Sequence, residues 1–236
     1  MSTLALRLAG PMQSWGMRGR FRRRSTELEP TKSGVVGLLG AALGRSRTDP
    51  FADLADLQFG VRVDQQGHLL SDFQTASQNG VTAPLSYRHY LSDAVFLAAV
   101  EGPNELIQSL DSALNNPVYP LFLGRRAFPP AGPPSLGVRD ESLVDVLHDP
   151  QWYASQREMR STASTAVRLR IVRDTSPEES GTSSRDDVPI SFDPDRRLFS
   201  TRTVIEEHVT VTNPFGKDDA PQHDPFGFLG GSIVPQ

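Results

Sequence analysis

The chain has 236 residues, of which 37% are hydrophobic and 22% charged, a composition typical of a soluble protein with a packed core. It has no cysteine, which excludes disulfides and thiolate metal sites, and no apolar run near the roughly 20 residues of a membrane helix, so we predict a cytoplasmic protein. The net charge of −4 is uneven: residues 1–50 hold nine basic and three acidic residues, and a basic end on an acidic body favours a polyanionic partner.

The N-terminal elements are a strand, a loop and a helix. Leucine alternates with other residues over 4–8, the pattern of a strand. Residues 11–32 are polar and rich in arginine, which predicts a long loop. Thr31 or Ser33 can then cap a helix that runs to about residue 45.

Two strands and a second helix follow. Residues 57–63 alternate again and predict a strand, continued by a short hairpin that ends at Phe73. A loop over 75–86 leads to a continuous apolar run at 93–100, which is typical of a central strand buried on both faces. Apolar residues on one helical face over 106–114 predict the second helix.

One more strand would complete the α+β plan called split βαβ, or ferredoxin-like (RRM-like). Two candidates remain open for it. The stretch 118–123 is one, although Pro120 weakens it, and the alternating stretch 167–171 is the other.

The chain changes character after this region. Residues 127–137 are rich in proline and glycine, 174–187 are polar and predict a mobile loop, and 201–212 predict a strand. We therefore divide the chain into a principal domain over 1–134 and a small, mostly β appendage over 135–236.

The helix predicted over 31–44 carries four glycines on one face: Gly34, Gly37, Gly40 and Gly44. Interior glycines cost about 0.8–1 kcal/mol each relative to alanine, so a close approach must favour them. A sheet could pack on this face, or a nucleic-acid backbone could approach the helix start at Lys32, Ser33 and Gly34. The spacing is not that of a P-loop, which excludes nucleotide hydrolysis at this motif.

Two segments before that helix could also contact a nucleic acid. In the loop after the first strand, Gln13 and Ser14 could bond phosphate or a base edge, and Trp15 could either stack on a base or anchor the loop to the core. A run of arginines follows, which suits phosphate contact or is simply a solvated charged segment. Its members are Arg18, Arg20, Arg22, Arg23 and Arg24.

Two further groups of residues complete the candidate site. Tyr87, Arg88 and His89, with Tyr90 beside them, could act as a general base and phosphate clamp for RNA cleavage, or could stack bases and hold phosphate without reaction. The pair Arg125 and Arg126 follows a glycine and suits a sharply bent phosphate backbone. The acidic residues and histidines lack metal-ligand spacing, so we predict no metal and no cofactor.

Several segments in order resemble the CasD-type subunit of the type I-E CRISPR Cascade complex, a member of the RAMP superfamily. The resemblance spans about residues 3–130, and its motifs are LRLAGPMQSWG up to Gly16 and the segments 30–44, 57–76, 87–102 and 119–130. It implies a ferredoxin-like RAMP domain that holds the 5′ handle of the CRISPR RNA. It also implies a thumb-like insertion at about 74–90.

The resemblance implies partners and a role as well. The neighbours would be the CRISPR RNA, the backbone subunit CasC and the large subunit CasA, with target DNA met indirectly through the complex. The role implied is non-catalytic, in antiviral defence, capping the backbone filament. One alternative is a metal-independent endoribonuclease that processes repeat RNA with His89 and Tyr87 or Tyr90. Another is a scaffold whose basic N-terminus meets an acidic protein.

Overall fold

A computed structural model of the chain describes residues 1–16, 23–75, 77–78, 81–82, 85–176 and 178–217. The strands are β1 (Ser2–Ala9), β2 (Met12–Gln13), β3 (Arg23–Arg24), β4 (Gln58–Gln65), β5 (His68–Gln74), β6 (Ser77–Gln78), β7 (Val81–Thr82), β8 (Ser86–Ser92), β9 (Val95–Gly102), β10 (Ser135–Arg139), β11 (Ala166–Asp174), β12 (Ser183–Ser191) and β13 (Leu198–Thr212). The helices are α1 (Lys32–Ala42), α2 (Ala52–Ala55), α3 (Asn104–Asn115), α4 (Leu143–Leu147) and α5 (Gln156–Ser161). In the part of the chain described, no helix is both long and apolar enough to cross a bilayer.

The main sheet of the described residues has seven strands in the order β10-β1-β9-β4-β11-β13-β12. Each neighbouring pair is antiparallel. Helix α1 connects β1 to β4, and α3 connects β9 to β10. The strands β10-β1-β9-β4 therefore hold two interleaved strand-helix-strand crossovers, and in each the two connected strands have one other strand between them in the sheet.

Helices α1 and α3 cover one face of this sheet. Their buried side chains pack with the leucines of β1 and with inward residues of β4 and β9, such as Phe59 and Phe96. On the opposite face, Leu97 of β9 packs with Leu147 of α4 and with Tyr153. Strand β9 is thus buried on both faces, as its continuous apolar run predicted.

The helix predicted near residue 31 is confirmed as α1. The Oγ1 atom of Thr31 accepts a hydrogen bond from the backbone N–H of Gly34 at 3.2 Å, so Thr31 is the N-cap. The helix ends at Ala42, and Gly44 follows with a φ of +78°, the left-handed conformation that glycine adopts readily after a helix.

Neither candidate for the fourth strand was right, because β10 at Ser135–Arg139 takes that position beside β1. The stretch 118–123 forms no strand. Instead, the N–H groups of Val118 and Tyr119 donate to the carbonyls of Ala42 and Ala41 and so cap the end of α1. The stretch 167–171 does lie in a strand, β11, but that strand pairs with β4 and β13, far from β1.

The main sheet also crosses the boundary predicted between residues 134 and 135. Strand β10 lies beside β1, and β11 lies beside β4, so strands from the second half flank those of the first half on both sides. A separate appendage over 135–236 was therefore wrong for the described strands, because they share one sheet with the first half.

The segment 174–187, predicted as a mobile loop, includes strand residues and ion-paired side chains. Residues 183–187 belong to β12, and Asp187 is buried. Glu179 forms an ion pair with Arg173 at 2.7 Å, and the hydrogen bonds of this guanidinium lower the pKa of the Glu179 carboxyl to about 2. The mobility of this segment stays a prediction, and the polar side chain of Glu179 forms an ion pair within the chain.

A second sheet contains β5 and β8, which lie between β4 and β9 in the chain, together with β2 and β3. Strand β5 does not pair with β4, as the predicted hairpin required, but pairs along its whole length with β8. Strand β8 also pairs with β2 in antiparallel and with β3 in parallel orientation. Residue 74 and residues 86–90 of the predicted insertion thus belong to a ribbon made by β5 and β8, which also contacts the N-terminal loop.

Candidate functional site

The loop residues predicted to contact RNA are largely buried. Gln13 and Trp15 are both 0% exposed. The Nε2 atom of Gln13 donates to the carbonyl of Ala94 at 2.7 Å, and its Oε1 accepts from Trp15 Nε1 at 3.0 Å. Ser14 is buried and its Oγ donates to the carbonyl of His89. RNA contact by these three side chains stays a prediction, and in this structure the core and neighbouring backbone use their polar atoms.

The groups at the start of α1 also have partners within the chain. A Cβ atom at Gly34 would lie 2.7 Å from Trp15 Cε3, so the indole of Trp15 fills the space that a side chain at this position would take. The backbone N–H of Lys32 donates to Asp187 Oδ2 at 2.7 Å, and Lys32 Nζ pairs with Asp174 at 3.2 Å.

Ser33 is buried, with its Oγ 3.4 Å from Thr31 Oγ1. RNA contact by Lys32, Ser33 and Gly34 stays a prediction, and in this structure the carboxylate of Asp187 takes the anion position at the helix start.

Three segments predicted separately do meet in space: β3, β8 and the turn after Leu123. The backbone N–H of Ser14 donates to the carbonyl of Leu123 at 3.1 Å. Gly124 has a φ of +83°, and a Cβ there would lie 1.7 Å from the carbonyl oxygen of Ser14, so only glycine fits this turn. The turn thereby brings Arg125 against the second sheet.

The residues brought together are Arg24, Arg88 and Arg125, which we call the arginine cluster. Arg24 and Arg88 are register partners on adjacent strands, and Arg125 Nη2 donates to the carbonyl of Arg24 at 3.4 Å. The guanidinium of Arg125 stacks over the ring of Tyr90, 4.5 Å from its centroid, and that ring meets Phe128 edge-on at 5.1 Å.

The charge of the arginine cluster is not balanced by ion pairs. Among the described residues, no carboxylate forms an ion pair with any of the three guanidiniums. Asp72 lies opposite Arg88 in the register of the ribbon, and its carboxylate accepts from Gln74 at 2.8 Å. Burial lowers the pKa of Arg125, and the nearby positive charges of Arg88 and Arg24 lower it further.

Two atoms of the arginine cluster are buried donors without a hydrogen-bond partner among the described residues: Arg88 Nε and Arg125 Nη1. A buried N–H that makes no hydrogen bond costs about 1–3 kcal/mol or more, and most buried donors in folded proteins are paired. An oxyanion ligand would supply the acceptor oxygens and the negative charge that these guanidiniums need.

The remaining predicted residues lie around the arginine cluster without joining it. Alternation along β8 places Arg88 and Tyr90 on one face and Tyr87 and His89 on the other, so Arg88 and His89 do not act as a pair. Tyr87 is 46% exposed, and Arg126 is exposed beside Arg125. The other predicted arginines, Arg18, Arg20 and Arg22 together with the side chain of Arg23, lie outside the described part of the chain.

Sequence reasoning missed two features of the site. Tyr90 was considered only beside His89, as a neighbour or as a catalytic partner, yet it is the ring on which Arg125 stacks. The period-2 pattern of β8 would have separated Tyr90 from Tyr87 and His89. The role of Asp187 at the start of α1 had no local signal, since 155 residues separate it from Lys32.

Known proteins resemble the chain over most of its length. The sequence profile of the family described as CRISPR-associated protein (Cas_Cas5) matches residues 3–205. The CRISPR system Cascade subunit CasD of Escherichia coli (strain K12) is 35% identical over 161 residues, which cover 58% of this chain and 70% of that protein.

Two solved structures resemble the fold. One, described as a Cas protein, has a TM-score of 0.69 and 36% identity and covers 93% of this chain and 100% of its own. The other is a chain of a CRISPR RNA-guided surveillance complex, with a TM-score of 0.72, 31% identity and coverage of 94% and 95%. The profile match, which spans most of the chain, and these relatives agree: the chain belongs to the CRISPR-associated protein (Cas_Cas5) family.

Proposed function

We propose that this chain is a non-catalytic, RNA-binding subunit of a CRISPR interference complex of the Cascade type. In this proposal it holds the 5′ handle of the CRISPR RNA and caps the backbone filament. Its neighbours are the backbone subunit CasC and the large subunit CasA, and target DNA is met only through the complex. The names of the relatives, a Cascade subunit and a chain of an RNA-guided surveillance complex, support this assignment.

The observation that carries the proposal is the arginine cluster with its two unpaired buried donors. Three guanidiniums from separate segments converge, and none has a carboxylate partner within the described ranges, which is the arrangement that a phosphate backbone neutralises. Arg126 is exposed beside Arg125 and extends the surface available to a longer RNA strand, whereas the exposed ring of Tyr87 lies on the other face of β8.

We assign β10-β1-β9-β4 with α1 and α3 to the ferredoxin-like class, on the basis of their order in the chain and in the sheet. We assign the ribbon of β5 and β8 to the thumb of the RAMP superfamily. The ribbon carries Arg88, so in this proposal the thumb forms one wall of the RNA site.

The test measures binding of a single-stranded RNA with the 5′-handle sequence by the full chain, using fluorescence anisotropy over a series of KCl concentrations. Arg88→Gln and Arg125→Gln should each weaken binding about 10- to 100-fold, the equivalent of one hydrogen bond to a charged group. The slope of the logarithm of the binding constant against the logarithm of the KCl concentration is called the salt slope. Each variant should also reduce the size of this slope by about 0.7 for every phosphate that it no longer neutralises. Arg168→Gln is the matched control, because Arg168 is exposed on β11, outside the cluster. Equal losses of affinity in all three variants would contradict the proposal.

The same RNA distinguishes the non-catalytic role from the two alternatives. Incubation of the purified chain with repeat RNA and a chelator should leave the RNA intact. Metal-independent cleavage that His89→Ala abolishes would instead identify an endoribonuclease. Assembly of the complex at full yield without RNA would favour the protein scaffold.

A further inference from the structure

The segment between Arg24 and α1 is held at several points by the rest of the molecule. The backbone N–H of Trp15 donates to Thr26 Oγ1 at 2.7 Å, and the N–H of Glu27 donates to the carbonyl of Trp15 at 2.8 Å. The carbonyl of Leu28 accepts from Gln66 at 3.2 Å. This segment, residues 25–30, therefore sets the position of β3 and of Arg24 at its end.

A closed set of ion pairs anchors the same segment to the C-terminal strands. Glu29 lies 2.7 Å from Arg170 of β11 and 3.6 Å from Arg185 of β12. Glu206 of β13 lies 3.6 Å from Arg170 and 2.8 Å from Arg185. The four side chains alternate in sign, and we call them the ion-pair square.

The ion-pair square is a partly buried network and not an isolated surface pair. Glu29 is 14% exposed, and its carboxylate is bonded by two guanidiniums that β11, β12 and β13 hold in register. Networks of this kind order side chains more than isolated exposed pairs, which contribute little. Glu27 lies beside it in a partly desolvated position, where burial and the charge of Glu29 raise the pKa of its carboxyl.

We propose that the ion-pair square positions Arg24 for RNA binding, with Glu29 as the positioning residue. The inference rests on the function proposed above. Four residues separate Glu29 from Arg24, and both ends of this stretch are fixed, one by the square and the other by the pairing of β3 with β8. The strands β11, β12 and β13 thus contribute to the RNA site through residues that do not touch RNA.

The charges of the ion-pair square make the inference testable. Removing the negative charge of Glu29 strengthens RNA binding if only long-range electrostatics matter, and removing the positive charge of Arg170 weakens it. A positioning role instead predicts that Glu29→Gln and Arg170→Gln both weaken binding, by about tenfold, the equivalent of one hydrogen bond to a charged group. Both variants should also lower the salt slope by about 0.7, as expected when one phosphate is no longer neutralised.

The experiment measures anisotropy of the 5′-handle RNA with the full chain, including Arg24→Gln alone and combined with Glu29→Gln. If Glu29 acts through Arg24, the double variant binds as Arg24→Gln does. Glu207→Gln is the control: it removes the same charge from the next residue of β13, where Glu207 pairs with Arg173 at 2.8 Å, and should not weaken binding.

The outcomes separate this inference from the proposed function. Failure of the wild-type chain to bind the RNA would overturn both. If the wild type binds and Glu29→Gln leaves the affinity unchanged or raises it, the inference alone is overturned. The inference is also overturned if the losses of binding free energy from Glu29→Gln and Arg24→Gln add up fully in the double variant. Thermal unfolding of each variant, together with hydrogen exchange at the Glu27 amide, checks that the fold persists while the segment loosens.

Discussion

At the scale of single residues, two glycines of α1, Gly34 and Gly40, allow aromatic side chains to pack closely against the helix. A Cβ at Gly34 would lie 2.7 Å from the indole of Trp15, and one at Gly40 would lie 2.2 Å from Phe51. The even choice left by the sequence, between close packing and a nucleic-acid backbone, is thus decided by two aromatic side chains. Neither ring is near its glycine in the chain, so spacing alone could not identify it.

Gly34→Ala should destabilise the protein by roughly 1–3 kcal/mol, because the added methyl group overpacks against a fully buried indole. Gly37→Ala is the matched control on the same helix, since its Cβ would meet only Phe192, at 3.8 Å. Alanine is a better helix former, so this variant should gain up to about 1 kcal/mol. Urea unfolding measures both, and a loss of stability in Gly37→Ala equal to that in Gly34→Ala would contradict the argument.

At the scale of elements, α1 shows how a strand far along the chain can satisfy a helix start. Asp187 of β12 accepts from the N–H of Lys32 and is also bonded by Arg202, at 2.7 and 3.1 Å. Arg202 in turn pairs with Asp174, which accepts from Lys32 Nζ. The free N–H groups predicted at this helix start were a sound expectation, but the anion that meets them belongs to the chain itself.

Asp187→Asn should cost about 3 kcal/mol, the low end of the range for breaking a buried ion pair, because Arg202 keeps Asp174. The neighbouring Asp186→Asn should cost less than about 1 kcal/mol, since its carboxylate faces Thr201 at the surface. Thermal unfolding of the two variants tests the difference. Similar melting temperatures would mean that β12 does not stabilise α1.

At the scale of the whole molecule, one sheet joins both halves of the chain. Strand β10 completes one side, and β11 continues the other side beyond β4. The fully buried pair Arg62 and Asp64 of β4 adds a second link, since Arg62 donates to the carbonyls of Leu147, Asp149 and Gln151. Removal of the second half would leave that guanidinium without three of its acceptors.

A fragment of residues 1–134 should therefore fail to fold cooperatively, whereas the full chain should unfold in a single transition. The fragment lacks the strands that pair with β1 and β4 on their outer sides, and it leaves buried charge and apolar surface unmatched. Circular dichroism during heating distinguishes the two. A sharp unfolding transition in the fragment would contradict this expectation, because it would show that residues 1–134 fold as a separate domain.

The sequence by itself determined the elements whose signal is local. Alternation predicted β1 and β4, a continuous apolar run predicted the buried strand β9, and an N-cap threonine predicted the start of α1. The motif order also carried the family resemblance, and the family is confirmed by the profile match. Of the candidate site, Arg24, Arg88 and Arg125 were named from the sequence and do converge.

Only the tertiary structure decided which strands pair and which polar groups remain available. The position of β10, the pairing of β5 with β8, and the burial of Gln13, Trp15 and Lys32 all depend on contacts between distant residues. A local pattern reports the period of an element and the polarity of its faces, but not the partner that covers each face. For that reason the sequence could indicate which cationic residues belong to the site, whereas only the fold shows which of them have hydrogen-bond donors without a partner among the described residues.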